Sequence, residues 1–223
     1  MKTKEIIENQ INEIWNDYSF LPFCRYSPLA VSEIPETGII FIGLNPSLDE
    51  KNKIELESNP DKSLKYYDLD GEHKYFKKFP VIADCVNLPW GHLDLLYFRE
   101  TNQDSINKNL FNQSGISFIY KQLMVTKVLL DKLLMDNKPK IFVVNNTLAR
   151  EFLGKDRPQS YNDDQPHWMN YRFEWNDELG TYFCNGHPFF FTSMLTGQRA
   201  LDNGSFERLK WHIRMVKEKL NKE

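Results

Sequence analysis

Four short, predominantly apolar runs constrain the fold of this chain more than any other feature of its sequence. They lie at residues 38–44, 93–98, 140–145 and 189–192. Runs of this length without a polar–apolar alternation are typical of strands that are buried on both faces, as in parallel sheets. The segments between the runs are helical in pattern, and this alternation indicates an α/β fold. We therefore expect a three-layer α/β/α sandwich with a central four-stranded parallel sheet.

Three segments carry the helical spacing most clearly. Apolar residues recur every three or four positions over residues 4–18, over residues 117–135 and in the segment that Ser205 is predicted to cap. Between the last two of these helices, residues 171–184 have the composition of two short strands around a turn, and they predict a β-hairpin.

Composition and charge narrow the class of protein further. The chain has 223 residues, 41% of them hydrophobic, and no linker-like stretch, so we expect a single domain over residues 1–223. Lys and Arg total 28 against 31 Asp and Glu, a net charge of −3, so DNA could bind only through a local basic patch. The three cysteines lack CxxC spacing, and no run approaches the roughly 18 apolar residues of a membrane helix. We expect a cytoplasmic protein, favoured as a monomer, without a metal, a cofactor or a membrane partner.

Polar or glycine-containing segments follow the predicted strands, at the end of the sheet where α/β proteins bind ligands. Gly43 permits a close backbone approach, Pro46 fixes a turn, and the Asn45 side chain offers both a donor and an acceptor. The structural alternative is an Asn45 side chain that bonds its own backbone. Asn146, after the third run, is predicted to cap a short helix that ends at Gly154.

The segment Phe-Ile-Gly-Leu-Asn-Pro-Ser at residues 41–47 resembles the first motif of the uracil-DNA glycosylase superfamily. The likeness is to the Gly-Ile-Asn-Pro-Gly version of the mismatch-specific uracil and thymine glycosylases. Residues 92–99, 140–149 and 193–197 are similar to the family's second-strand, third-strand and last-loop segments. The resemblance implies the family's fold, with strand order 2-1-3-4, and gives Asn45 the role of positioning the attacking water.

The resemblance also implies roles for the neighbouring residues. Asp94 stands where many members carry an Asn that recognises the base edge, and Ser193 and Thr196 would stabilise the departing base. The residues around the base would be Gly43, Leu44, Pro46, Ser47, Asp94 and Asn146. The residues that contact DNA would be Leu195, acting with Met194 as an apolar wedge, together with Gln198 and Arg199.

Three functions remain open from the sequence. The first is an N-glycosylase that acts on a flipped damaged or mismatched base. The second is a non-catalytic member of the fold that binds a nucleobase, nucleotide or nucleic acid; the net negative charge and the lack of the family's last-loop His favour it. The third is a hydrolase of free nucleosides. For Asp94, the alternative to facing the base is a position beneath the sheet.

Overall fold

The computed structural model describes residues 1–48, 50–69, 73–109, 112–155, 168–197 and 200–221. Over these residues the chain is mixed α/β. The helices are α1 Lys4–Asp17, α2 Glu50–Ser58, α3 Lys78–Asp84, α4 Gln103–Asn109, α5 Gln113–Met135, α6 Thr147–Leu153 and α7 Asn203–Leu220. The strands are β1 Leu29–Val31, β2 Gly38–Gly43, β3 Lys65–Tyr67, β4 Trp90–Asp94, β5 Lys140–Val144, β6 Glu174–Asn176, β7 Thr181–Cys184 and β8 His187–Phe191.

The main sheet has six strands in the order β4-β2-β5-β8-β7-β6. β5 runs parallel to both β2 and β8, whereas β7 is antiparallel to β8 and to β6. The sheet is therefore larger than the expected four-stranded parallel sheet: the predicted hairpin, β6–β7, extends it by two antiparallel strands and makes it mixed. The order of the four strands predicted from the apolar runs agrees with the expected order.

Two of the predicted strands lie where the apolar runs place them. Every residue of β2 and of β5 is buried. Their register pairs Ile39 with Ile141 and Phe41 with Val143. Burial of both strand faces explains why these segments lack alternation of polar and apolar residues.

The strand predicted at residues 93–98 is shifted toward the N-terminus. β4 ends at Asp94, and the buried segment that follows it is not a strand. Its Leu95 and Leu96 amides donate to backbone carbonyls, and side chains of α5 bond other backbone groups of the segment. Gln122 Oε1 accepts from the Tyr97 amide at 2.9 Å, and Thr126 Oγ1 donates to the Leu95 carbonyl at 2.9 Å. Burial alone does not distinguish a strand from a buried loop whose backbone groups are hydrogen-bonded in other ways.

The helix ends follow the predicted capping chemistry at α6 and differ at α7. Asn146 Oδ1 accepts hydrogen bonds from the first turn of α6, and Gly154 ends this helix with a φ of 102°, which confirms the prediction. For α7 the cap is Asp202, whose side chain accepts from the Ser205 amide at 2.9 Å. Ser205 therefore lies inside the helix that it was predicted to begin.

Contacts divide the chain into two compact units. Unit 1 consists of Met1–Ile34, Gly43–Asp68 and Leu93–Leu133, and unit 2 consists of Pro35–Ile42, Leu69–His92 and Leu134–Glu223. The divisions fall within β2 and β4, so the last residues of these strands count with unit 1.

Unit 1 has an aromatic core between α1 and α5, and it contains the two-stranded parallel sheet β1–β3. The ring of Trp15 lies 5.3 Å from that of Phe118, and Phe23 stacks on Phe98 at 4.5 Å. These side chains are all buried.

Unit 2 contains most of the main sheet together with α3, α6 and α7. Phe41 of β2 stacks on Phe79 of α3 at 4.2 Å, and Phe142 of β5 stacks on Phe189 of β8 at 4.5 Å. None of the helices in the described parts of either unit is long and apolar enough to cross a membrane.

Candidate functional site

In unit 1, the side chain of Asn45 is held by three backbone carbonyls just beyond β2. Its Nδ2 donates to the carbonyls of Pro46 at 3.0 Å, Phe98 at 3.3 Å and Glu100 at 2.7 Å. Within the described residues, all hydrogen bonds of this side chain use its nitrogen. The amide orientation is thereby determined, because the oxygen in its place would face three other acceptors.

Further bonds tie the segment after Asn45 to the segment after β4. The Glu100 amide donates to the Pro46 carbonyl at 3.0 Å. Thr101 Oγ1 accepts from the Leu48 amide at 3.1 Å and donates to the Leu48 carbonyl at 2.8 Å. These bonds bring residues 45–48 and 98–101 into one connected loop pair that holds the Asn45 side chain in place.

Most of the other predicted residues of this motif are buried, and two of them contribute backbone carbonyls to hydrogen bonds with the segment after β4. The carbonyl of Gly43 accepts from the Leu95 amide at 3.2 Å, and the carbonyl of Leu44 accepts from the Leu96 amide at 2.9 Å. Pro46 is buried, whereas Ser47 is exposed. Of these four residues, only Ser47 therefore presents a side chain to solvent.

Asp94 lies beside a small cavity within unit 1. The cavity has a volume of about 10 Å³, and its lining includes Thr3, Ile7, Tyr97 and Leu129. Such a space holds about one water molecule and not a nucleobase. Burial raises the pKa of Asp94 to about 8 and so favours its neutral acid form over the carboxylate. The placement favours the alternative in which Asp94 lies beneath the sheet.

Unit 2 contains a polar cluster in which Tyr75 contacts both Asn145 and the predicted site residue Thr196. Asn145, directly after β5, donates from Nδ2 to the Tyr75 hydroxyl at 3.3 Å, and the Thr196 hydroxyl donates to the Tyr75 carbonyl at 3.2 Å. Asn145 is 2% exposed, and its buried Oδ1 has no hydrogen-bond partner among the described residues. A bound water or a ligand N–H would satisfy this acceptor. Tyr75 was missed because its spacing with its neighbours indicates only a helix face.

The remaining predicted residues of unit 2 have different environments. Asn146 uses its side-chain oxygen as the α6 cap, and Ser193 is exposed. Leu195 is only 1% exposed, so in this structure it is a core residue and not a projecting wedge; its neighbour Met194 is half-buried. The two predicted DNA contacts Gln198 and Arg199 lie outside the described residues.

Basic side chains of α7, the most cationic segment of the sequence, are partly engaged within unit 2. Lys210 pairs with Glu207 at 2.8 Å, and Lys219 pairs with Glu178 at 3.0 Å. These pairs reduce the cationic surface that α7 offers to a phosphate backbone.

His92 of β4 is enclosed by aromatic rings within unit 2. Its ring lies 5.5 Å from Tyr75, 5.1 Å from Phe76 and 5.7 Å from Phe79. Burial lowers the pKa of His92 to about 3, so the ring is neutral over the physiological range. A neutral, enclosed imidazole fits a core role. In the part of the chain that the structure describes, no three His, Cys, Asp or Glu side chains are grouped so as to hold a metal ion.

Comparisons of this chain with family models, with curated proteins and with solved structures gave no match. The likeness to the uracil-DNA glycosylases therefore depends on the motif residues themselves. Of those residues, Asn45 has the most constrained geometry.

Proposed function

We propose that this protein hydrolyses the N-glycosidic bond of a nucleobase in DNA, with Asn45 orienting the attacking water. The observation that carries the proposal is the fixed amide of Asn45. Because three carbonyls engage its Nδ2, its Oδ1 is the end of the side chain that can accept a hydrogen bond from water. The proposal includes the finer features that accompany it: a three-layer uracil-DNA glycosylase-type fold, DNA as partner and a cytoplasmic location.

A fixed acceptor suits this reaction because the water must approach one face of C1′ with its lone pair directed at the carbon. The C1′–N bond breaks, the base departs with the bonding electrons, and a C1′–O bond to the water forms. The proton of the water passes to solvent or to the departing base, since an amide does not take it up. The hydrogen bonds of Glu100 and Thr101 fix the loop pair, and with it Asn45 Oδ1, before the substrate binds. Such preorganisation favours catalysis.

A second candidate, a non-catalytic protein that binds a nucleobase or nucleotide, is favoured by the bonding of Thr196. Its hydroxyl donates to the Tyr75 carbonyl, so the same hydrogen does not stabilise a departing base. Ser193 remains the predicted donor of this segment. The two candidates differ in whether any base is released.

Asn45→Ala is expected to lower the rate of base release by about 10²-fold or more, the scale for one positioned catalytic group. The assay measures abasic-site formation in labelled DNA that contains uracil, thymine mismatches, hypoxanthine or alkylated bases, in single-stranded and duplex form. The substitution also removes the donor to three carbonyls, so we expect it to lower the free energy of unfolding by about 1 to 3 kcal/mol.

Thr101→Val is the matched control because it breaks a tie of the same loop pair and leaves the Asn45 amide in place. Equal rate losses in the two variants would show that loop order, and not the acceptor, limits the reaction. A wild-type protein that releases none of these bases yet binds one of them would contradict the glycosylase proposal and favour the binding protein.

A further inference from the structure

A row of aromatic side chains crosses the three outer strands of the sheet in unit 2. Trp175 of β6 lies directly opposite Tyr182 of β7, with ring centroids 4.9 Å apart. Tyr182 in turn lies 5.6 Å from Phe191 of β8. Tyr182 pairs with Phe189, two residues before Phe191, and alternation along a strand therefore places all these rings on one face.

This face differs from the opposite face of the same strands. There Phe190 packs against His212 of α7, with ring centroids 4.9 Å apart. On the aromatic face, Trp175 is 53% exposed, and Tyr182 and Phe191 are half-buried. Exposed aromatic side chains that are grouped rather than scattered are typical of interaction sites.

The Trp175 ring is held in a defined orientation. Its Nε1 donates to Asp177 Oδ1 at 2.9 Å, and its plane is tilted by 66° against the Tyr182 ring. The hydrogen-bonding edge of the indole is thus occupied, and what the ring offers a partner is its π-face. A ring that is already oriented loses little conformational entropy on binding.

A cation lies over the middle ring of the row. Lys155 Nζ is 4.2 Å from the centroid of the Tyr182 ring. A π-face next to an ammonium group matches a base and its phosphate, because the base stacks while the phosphate attracts the cation. An apolar protein partner would gain nothing from the positive charge of Lys155.

We propose that this aromatic row, formed by Trp175, Tyr182 and Phe191 with Lys155, binds single-stranded nucleic acid. A base stacks on Trp175, and a backbone phosphate lies near Lys155. The proposed site shares no residue with the loop pair around Asn45 and does not depend on cleavage of a glycosidic bond. β8 ends at Phe191, and Ser193 follows two residues later, so the row adjoins in sequence the segment that carries the predicted donors.

The test measures the dissociation constant of a fluorescently labelled, undamaged oligothymidylate by anisotropy at low salt. We expect Trp175→Ala to weaken binding by about tenfold or more, the scale of losing one base–aromatic stack, and Trp175→Phe to retain most of it. Lys155→Gln is expected to flatten the dependence of log K on log[salt] by about 0.7, the contribution of one single-strand phosphate contact.

Trp211→Ala is the matched control, because Trp211 is also an exposed tryptophan of unit 2, at 63%, but lies on α7. We expect this variant to bind as the wild type does. The proposal would be overturned by equal losses in the two alanine variants, or by unchanged binding of Trp175→Ala. It would also be overturned if the wild type did not bind the oligothymidylate, and an extended peptide would then be the favoured ligand of the row. The assay uses no cleavable base, so its outcome is independent of the test of Asn45.

Discussion

Gly38→Ala is expected to lower the free energy of unfolding by about 3 to 5 kcal/mol, a large fraction of the total stability of an ordinary domain. A Cβ at this position would lie 2.1 Å from the Pro89 carbonyl oxygen. That oxygen accepts a hydrogen bond from the Ile39 amide at 2.9 Å. It therefore cannot move away from the new Cβ without breaking this backbone hydrogen bond at the start of β2. Gly38 also has a φ of +109°, where an L-residue is strained by about 1 to 2 kcal/mol. Urea unfolding of the purified variant measures the effect.

Gly186→Ala is the control that distinguishes the steric clash at Gly38 from the strain of a positive φ. Gly186 has a φ of +79° in the turn between β7 and β8, but a Cβ there would have no atom within 4 Å. We expect this variant to lose only about 1 kcal/mol. Similar losses for the two alanine variants would contradict the assignment of the larger effect to the Pro89 contact.

Asp94→Asn is expected to remove a marked fall in stability between about pH 4 and pH 8. Burial raises the pKa of Asp94 from 3.8 to about 8, so the folded protein holds this proton while the unfolded chain releases it. The contribution of Asp94 to stability is therefore greatest at low pH and declines as the pH rises toward 8. At 1.36 kcal/mol per pH unit the full difference would exceed 5 kcal/mol, but Asp94 is only half-buried, and we expect about 3 kcal/mol.

Denaturant unfolding of both proteins from pH 4 to pH 9 measures this difference. The asparagine variant should resemble the wild type at pH 4 and be more stable at pH 9, because an amide does not ionise. Parallel stability curves for the two proteins would show that Asp94 ionises at its ordinary pKa. That result would support the hypothesis that Asp94 is a carboxylate and accepts a hydrogen bond from a base.

The sequence predicted the buried strands better than the elements that long-range contacts create. β2 and β5 follow from their continuous apolar composition, because a strand buried on both faces has no polar side. The hairpin β6–β7 was also expected, but its addition to the main sheet depends on pairing with β8. The pairing of β1 with β3 joins two three-residue strands that are far apart in the chain, and no local pattern marks it.

The sequence predicted which residues form the candidate site but not the hydrogen bonds that hold them. The motif drew attention to Asn45, and a loop asparagine would ordinarily be expected to add little to stability. The structure differs because its acceptors at Phe98 and Glu100 are more than fifty residues away. The polar contacts of Tyr75 with Asn145 and Thr196 are equally non-local. Hydrogen bonds between distant loops leave no periodicity in a sequence.

The order of the strands in the sheet bears on how the chain is synthesised. β2 lies between β4 and β5, and both partners are translated after it. β4 follows about 50 residues later and β5 about 100 residues later, which at roughly 5–20 residues per second leaves β2 unpaired for seconds. The strand, Gly-Ile-Ile-Phe-Ile-Gly, has no charge and no proline to prevent association with other chains. This interior strand of the finished sheet is thus an aggregation hazard on the ribosome, where early shielding by a chaperone would protect it.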